Sequence, residues 1–233
     1  MTPEVTKQDL EALISRANEK SKKLGLTLNL DPSKINIQYI SHKSDNVEGG
    51  EYDFKTDVII LNVYADDSQE WLASKLVHEG VHQKVQKEIV PYCHPSNLER
   101  CGLFTASDRY NLAEWIFNEG LAYATNLADE EDNNTKQFFD GIKNVGLPFY
   151  LMDLWPSPEL SYAVLKACES GMPMDEIFAK TKEFLAEPHE EFPHYEIARF
   201  IKEKLNQDPV EIYELCNSSY KSWAAKATGE VPQ

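Results

Sequence analysis

The chain has 233 residues, which is long enough for one substantial domain with its own hydrophobic core. Its formal charge of −16 disfavours nucleic acid and anionic membrane surfaces as partners, because an acidic surface repels both. The N-terminal segment shows no basic stretch followed by an apolar core, and the longest apolar runs are too short to span a bilayer, so we expect a cytoplasmic protein, with leaderless export left open.

The spacing of apolar residues in the first ninety positions predicts helices on both sides of a small sheet. The ADDS segment offers capping residues for the second helix. In chain order, we predict a helix over 5–24, a strand over 35–40, a turn-rich stretch over 41–50, a strand or hairpin over 51–63, and a helix over 68–89.

The remainder of the chain predicts helices that are separated by prolines, by a loop at 91–108 and by an acidic connection at 129–136. The predicted helices cover about 109–128, 135–143, 158–169, 173–186, 194–206 and 209–226.

These elements predict an α+β fold, with a small N-terminal mixed β-sheet and a mostly helical C-terminal lobe. We interpret residues 1–233 as a single domain, in which an α/β lobe covers about 1–90 and a helical lobe covers 91–233. The oligomeric state does not follow from the sequence.

The segment LVHEGVHQ (76–83) carries two of the six histidines, four residues apart around a glutamate. On a helix His78 and His82 share one face, so both imidazoles can point at one ion while Glu79 lies beside them. This is the HExxH pattern, in which the histidines bind zinc and the glutamate is the general base. The alternative is a pair of surface or core histidines on an amphipathic helix. The apolar surroundings predict burial, and buried imidazoles need partners.

A third ligand is available in AEWIFNEGLAYATN (113–126). Glu119 lies in an otherwise apolar predicted helix, where a lone carboxylate is costly unless it is paired or bound to a cation. Catalytic zinc takes three protein ligands and keeps an open position. Alternatively, Glu119 is a salt-bridge partner or lies on an exposed polar stripe with Asn118. Beside His78 and His82, we interpret it as a metal ligand.

HEGVH (78–82) together with WIFNEGLAYA (115–124) resembles the zinc site of gluzincin metallopeptidases. The resemblance implies a zincin-like fold, Zn²⁺ bound by His78, His82 and Glu119, Glu79 as the catalytic base, and a peptide or protein substrate. The segment GEYDFKTDVIILNV is similar to the strand that precedes the HExxH helix in these families. That strand borders the substrate groove, where a peptide can add as an extra strand.

The oxyanion of the reaction needs a donor. FPHYEIARFIKEKL (192–205) resembles the helix start that supplies a tyrosine donor in aminopeptidase-type gluzincins, which implies Tyr195. Ile197 and Ala198 stand where that pattern has Lys and Gly. The alternative for Tyr195 is a ring that packs against neighbouring phenylalanines.

His194 is the alternative donor, by analogy with thermolysin-like sites that use a histidine. Tyr110 and Tyr123 are weaker candidates. Tyr123 follows Glu119 by one helical turn and could instead contact a metal ligand.

The remaining histidines and the cysteines point to no further site. His42, His94 and His189 fall in predicted loops, and we expect them to face solvent. Cys93, His94 and Cys101 lack the paired spacing of a second metal site. The four cysteines (Cys93, Cys101, Cys168 and Cys216) form no CxxC pair, and we expect reduced, largely buried thiols.

We therefore expect zinc-dependent hydrolysis of peptide bonds, with endopeptidase and exopeptidase action both open. One alternative is an inactive zincin-like protein that binds metal or a partner. A di-iron carboxylate protein is another, because Glu79 and His82 also form an ExxH pair. A metal-free helical interaction protein is the last.

Overall fold

The computed structural model describes residues 7–40, 49–94, 112–129, 136–137, 157–189, 194–216 and 221–229. Over these ranges the chain is α+β and mostly helical, with eight α-helices and one three-stranded mixed sheet. The strands are β1 (Ile35–Tyr39), β2 (Gly50–Asp53) and β3 (Val58–Val63). The helices are α1 (Lys7–Lys23), α2 (Gln69–Glu88), α3 (Leu112–Leu127), α4 (Ser157–Glu169), α5 (Met174–Leu185), α6 (His194–Glu203), α7 (Pro209–Leu215) and α8 (Lys221–Thr228). None of these helices has the length and apolar character that a membrane crossing requires.

β3 is the central strand of the sheet, which has the order β1–β3–β2. β1 runs parallel to β3, and β2 runs antiparallel to it with Gly50 opposite Leu61. Alternate residues of β3 (Ile59, Leu61 and Val63) are buried in the core. The predicted hairpin at 51–63 is confirmed. The segment expected to border a groove therefore divides into central β3 and β2, and β2 is an edge of the sheet within the described residues.

α2 is the helix around which the site is built. It begins after Ser68, whose Oγ accepts a hydrogen bond from the backbone N–H of Trp71 at 3.1 Å. This cap satisfies one of the N–H groups that a helix start leaves without a partner. α1, α3 and the β2–β3 hairpin all pack against α2. Its apolar side chains are buried among them, namely Leu72, Leu76, Val77, Val81 and Val85.

A row of polar side chains on α2 faces the β2–β3 hairpin. The Nζ of Lys75 lies 2.7 Å from Oδ2 of Asp67 and 3.0 Å from a carbonyl oxygen of β3. Two turns further along, Gln83 donates a hydrogen bond to Oδ1 of Asp57 at 2.9 Å. Glu79 lies between them at the same four-residue spacing, so it belongs to the row that faces the hairpin.

Glycines directly after the two glutamates of the motif let α2 and α3 approach their neighbours. A Cβ at Gly120 would lie 2.6 Å from Cδ2 of Leu160, so α3 is closer to α4 than a larger residue permits. Ser161 strengthens this contact by donating a hydrogen bond to the carbonyl of Gly120 at 3.0 Å. A Cβ at Gly80 would lie 3.1 Å from Cδ1 of Leu28. The two glycines thus allow close packing of α3 on α4 and of α2 on the segment that follows α1.

The structure corrects two expectations from the sequence. The single helix predicted over 209–226 is wrong, because α7 ends at Leu215 and α8 begins at Lys221. His189 does not face solvent, since only 2% of it is exposed. Its burial follows from contacts with the backbone and ring of Phe184 and with the carboxylate of Glu196, which composition does not reveal.

Other expectations concern segments that the structure describes only in part or not at all. His94 is half-buried rather than fully exposed. The cysteines that the structure describes are free thiols, with Cys216 buried and Cys93 and Cys168 half-buried. His42, Tyr110, Cys101 and nearly all of the helix predicted at 135–143 lie outside the described residues.

His189 is held between a carbonyl group and a carboxylate. Its Nε2 lies 2.6 Å from the carbonyl oxygen of Phe184, and its Nδ1 lies 3.0 Å from Oε2 of Glu196. The imidazole also stacks on the Phe184 ring, with centroids 4.1 Å apart. A carbonyl oxygen only accepts, so Nε2 donates to it and the buried carboxylate of Glu196 faces the other nitrogen. The pair ties the segment after α5 to the first turn of α6.

We expect His189→Ala to lower the free energy of unfolding by about 3 kcal/mol, because it removes a buried ring that stacks on Phe184, a hydrogen bond to the Phe184 carbonyl and one of the two partners of the Glu196 carboxylate. Glu203→Ala is the matched control. Glu203 lies 3.5 Å from Arg199, which also pairs with Glu196, but its side chain is 52% exposed. This change should alter stability by less than about 0.5 kcal/mol. Urea unfolding followed by circular dichroism measures both, and equal losses would contradict the assignment.

Candidate metal centre

Side chains of α2 and α3 converge at one point. The Nε2 of His82 lies 3.7 Å from Oε1 of Glu119, and the Nε2 of His78 lies 3.9 Å from Oε2 of the same carboxylate. The two imidazole rings meet edge to face, with centroids 4.6 Å apart. All three side chains are half-buried, between 12% and 18% exposed. The structure thus brings together the three residues that the sequence nominated as metal ligands.

Buried amides hold the outer nitrogens of both imidazoles. The Nδ1 of His78 lies 2.6 Å from Oδ1 of Asn126, and the Nδ1 of His82 lies 2.8 Å from Oδ1 of Asn118. An amide oxygen only accepts hydrogen bonds, so each Nδ1 carries a proton and donates it. Burial, with a smaller contribution from His82, lowers the pKa of the His78 imidazole to about 3, so this ring is neutral at pH 7. A neutral imidazole protonated at Nδ1 directs the lone pair of Nε2 towards Glu119.

The donor set fits a small divalent cation. Two imidazole lone pairs and a carboxylate face one another, and the separations of 3.7 and 3.9 Å are longer than hydrogen bonds. Nitrogen and oxygen ligands about 2.0–2.2 Å from a tetrahedral zinc lie roughly 3.4 Å from one another. The two separations from Glu119 exceed that value by only a few tenths of an ångström. Imidazole and carboxylate are also ligand types that zinc accepts.

Glu79 lies beside the two imidazoles on the side of the sheet. A ligand oxygen of Glu79 is within 4.8 Å of ligand nitrogens of His78 and His82. The side chain is buried, with 5% exposed. It contacts β2, because a Cβ at Gly50 would lie 2.9 Å from Oε1 of Glu79. A carboxylate in this position can either approach the same cation or exchange a proton with a molecule bound next to it.

Of the predicted oxyanion donors, the structure places Tyr123 at this site. Its ring centroid lies 5.0 Å from that of His78, in an edge-to-face arrangement. Tyr195 contacts α8 instead, where Nζ of Lys226 lies 5.3 Å from its ring centroid. His194 is the first residue of α6, and its side chain lies outside the described residues. The assignment of Tyr195 or His194 as the donor therefore stays a prediction.

Sequence reasoning missed the orienting amides. Asn118 was considered only as part of a polar stripe beside Glu119, and Asn126 was not considered. The signal was present, because both asparagines are buried polar residues of the otherwise apolar helix α3. Asn126 follows Glu119 by seven residues and so lies on the same face of α3, and Asn118 is the residue directly before Glu119.

Comparisons of the chain with protein-family models, with curated proteins and with solved structures gave no match. The functional interpretation therefore depends on the residues and the geometry of the site. The observation of most weight is the meeting of His78, His82 and Glu119 from two different helices.

Proposed function

We propose that the protein is a zinc-dependent peptide hydrolase of the gluzincin type with a zincin-like fold, in which His78, His82 and Glu119 hold the metal. The observation that carries the proposal is the convergence of two Nε2 atoms on the carboxylate of Glu119 at 3.9 and 3.7 Å. The orientation of both rings by amides supports it, because imidazoles that bind metals use their second nitrogen to donate to a neighbouring acceptor. A zinc ion held there supplies Lewis acidity, which activates a water molecule and polarises a carbonyl group.

Glu79 is the proposed general base. Its buried carboxylate lies within 4.8 Å of imidazole nitrogens of His78 and His82, and in this proposal Glu119 takes the place of the third ligand, which leaves Glu79 for proton transfer. In this role it takes a proton from the attacking water and passes it to the nitrogen of the leaving amine. Glu79 gives up the proton that it took, so its carboxylate returns to its starting state after each cycle.

The outer edge of β2, which is an edge of the sheet within the described residues, is suited to an extended peptide. The N–H of Asn62 donates to the carbonyl of Gly49 at 3.1 Å, so Gly49 and Asn62 form a hydrogen-bonded pair of the antiparallel ladder. The pairs alternate along such a ladder, so the peptide groups of Gly50 and Tyr52 point away from β3. A substrate strand that hydrogen-bonds to them would lie beside Glu79.

Replacing the third ligand tests the metal site. We expect Glu119→Gln to weaken zinc binding by at least about 100-fold, because even residues that only orient a ligand contribute 10–100-fold to metal affinity. Competition against a chromogenic chelator measures the affinity. Glu88→Gln is the control, since Glu88 is an exposed carboxylate at the end of the same helix α2. Equal affinities for the Glu119 variant and the wild type would remove Glu119 from the ligand set.

The orienting amides give a second test of the metal site. We expect Asn126→Leu and Asn118→Leu each to reduce zinc affinity by about 10- to 100-fold, because each ring loses the acceptor that fixes its orientation. Asn126→Asp and Asn118→Asp keep an acceptor oxygen and should retain tight binding. If the leucine and aspartate variants weaken binding equally, the amides do not act through the imidazoles.

The role of Glu79 is tested by a change that removes its basicity and keeps its size. We expect Glu79→Gln to bind zinc as tightly as the wild type and to lose about 10²- to 10⁴-fold in turnover, which is the usual contribution of a general base. Cleavage of a diverse peptide library, followed by mass spectrometry, measures the turnover. Undiminished cleavage by this variant would exclude Glu79 as the base. Stoichiometric zinc without cleavage by the wild-type protein would favour a metal-binding relative that is not a hydrolase.

A further inference from the structure

The edge strand β2 touches the proposed base at a glycine. A Cβ built on Gly50 would lie 2.9 Å from Oε1 and 3.0 Å from Cγ of Glu79, and 3.1 Å from the carbonyl oxygen of Ile60. Two of these atoms belong to Glu79, so its side chain occupies the space that any other residue at position 50 would need. The third atom belongs to the backbone of β3, which is fixed by pairing with a strand on each side.

The neighbouring glycine has a different contact. A Cβ at Gly49 would lie 3.2 Å from Cε and 3.5 Å from Cδ of Lys75. Lys75 precedes Glu79 by one helical turn, and its ammonium group is held by Asp67 and by a carbonyl oxygen of β3. The two glycines thus let β2 lie directly on α2, one above a structural lysine and the other above the proposed base.

We propose that Gly50 is a positioning residue for Glu79: its bare backbone forms the wall against which the carboxylate rests beside the two imidazoles. This inference rests on the proposed function. A methyl group at position 50 meets a rigid carbonyl on one side and a side chain on the other, so the side chain of Glu79 has to move. Because its Cγ is also in contact, the displacement involves the whole side chain rather than the carboxylate alone.

The proposed metal ligands do not take part in the contact between Gly50 and Glu79. Gly50 meets atoms of Glu79 and Ile60, whereas His78, His82 and Glu119 meet on the α3 side of α2. A substitution at Gly50 should therefore displace the base without changing the affinity for the metal. Neither Gly50 nor Gly49 has a positive φ, so alanine at either position causes no backbone strain by itself.

The first experiment compares Gly50→Ala with the matched control Gly49→Ala. We expect Gly50→Ala to lower kcat by about 100-fold, which is the typical cost of displacing a catalytic group by about 1 Å, with KM and zinc affinity close to wild type. Gly49→Ala should leave kcat close to wild type, because its Cβ would meet Lys75 rather than Glu79 or the imidazoles. Unchanged kcat in Gly50→Ala, or an equal loss in both variants, would overturn the proposal.

The second experiment needs neither metal nor activity. A double-mutant cycle combines Gly50→Ala with Glu79→Ala in the metal-free protein, and urea unfolding reports the midpoint of each variant. We expect Gly50→Ala to lower the midpoint when Glu79 is present and to lower it less when position 79 is alanine. Gly49→Ala should shift the midpoint equally in both backgrounds. Additive effects of Gly50→Ala and Glu79→Ala would overturn the contact on which the proposal depends.

The two experiments distinguish failure of this proposal from failure of the proposed function. If the wild-type protein binds zinc and cleaves no peptide, the hydrolase proposal fails, while the cycle still decides whether Gly50 and Glu79 compete for one space. If Gly50→Ala alone does not fold, recovery of folding in the double variant supports the proposal, and absence of recovery overturns it.

Discussion

The site depends on the close approach of three ligand groups, two imidazoles and one carboxylate, from two helices. The Nε2 atoms of His78 and His82 face the carboxylate of Glu119 across the interface of α2 and α3, and the low pKa of His78 keeps its ring neutral at pH 7. In a half-buried place such an arrangement is unfavourable without a cation, because lone pairs repel and the carboxylate loses hydration. The packing of α3 against α2 and α4 has to hold the groups together. A cation that binds there would in turn stabilise that packing, since binding to the folded state alone shifts the folding equilibrium.

Two adjacent rows of side chains on α2 contact two different neighbours. On α2, His78 and His82 face α3, while Lys75, Glu79 and Gln83 face the β2–β3 hairpin. Consecutive residues of an α-helix point about 100° apart, so a glutamate directly after a histidine necessarily lies on the next row. This is why the HExxH spacing can place a base beside a metal without making it a ligand, provided that a strand packs on the other side of the helix.

The second helix supplies both the charge and the orientation of the site. α3 contributes Glu119 and the two amides of Asn118 and Asn126 that hold the imidazoles. The carboxylates of Glu119 and Glu79 both lie beside the two imidazoles, and in the proposed site their charges would balance a divalent cation. Gly120, on the same helix, lets α3 approach α4 closely.

Much of this arrangement follows from local patterns. The helical spacing of apolar residues predicted α2 and α3 nearly to their ends, and the pair of histidines on one face follows from a four-residue separation in any helix. The isolated carboxylate of Glu119 in an apolar helix likewise pointed to a cation. What the sequence alone determined is therefore which side chains share a face. Only the tertiary structure decided which faces meet. The amides beside the imidazoles, the burial of His189 and the contact of Gly50 with Glu79 all depend on the distance and rotation between elements, and those are set by packing between residues far apart in the chain.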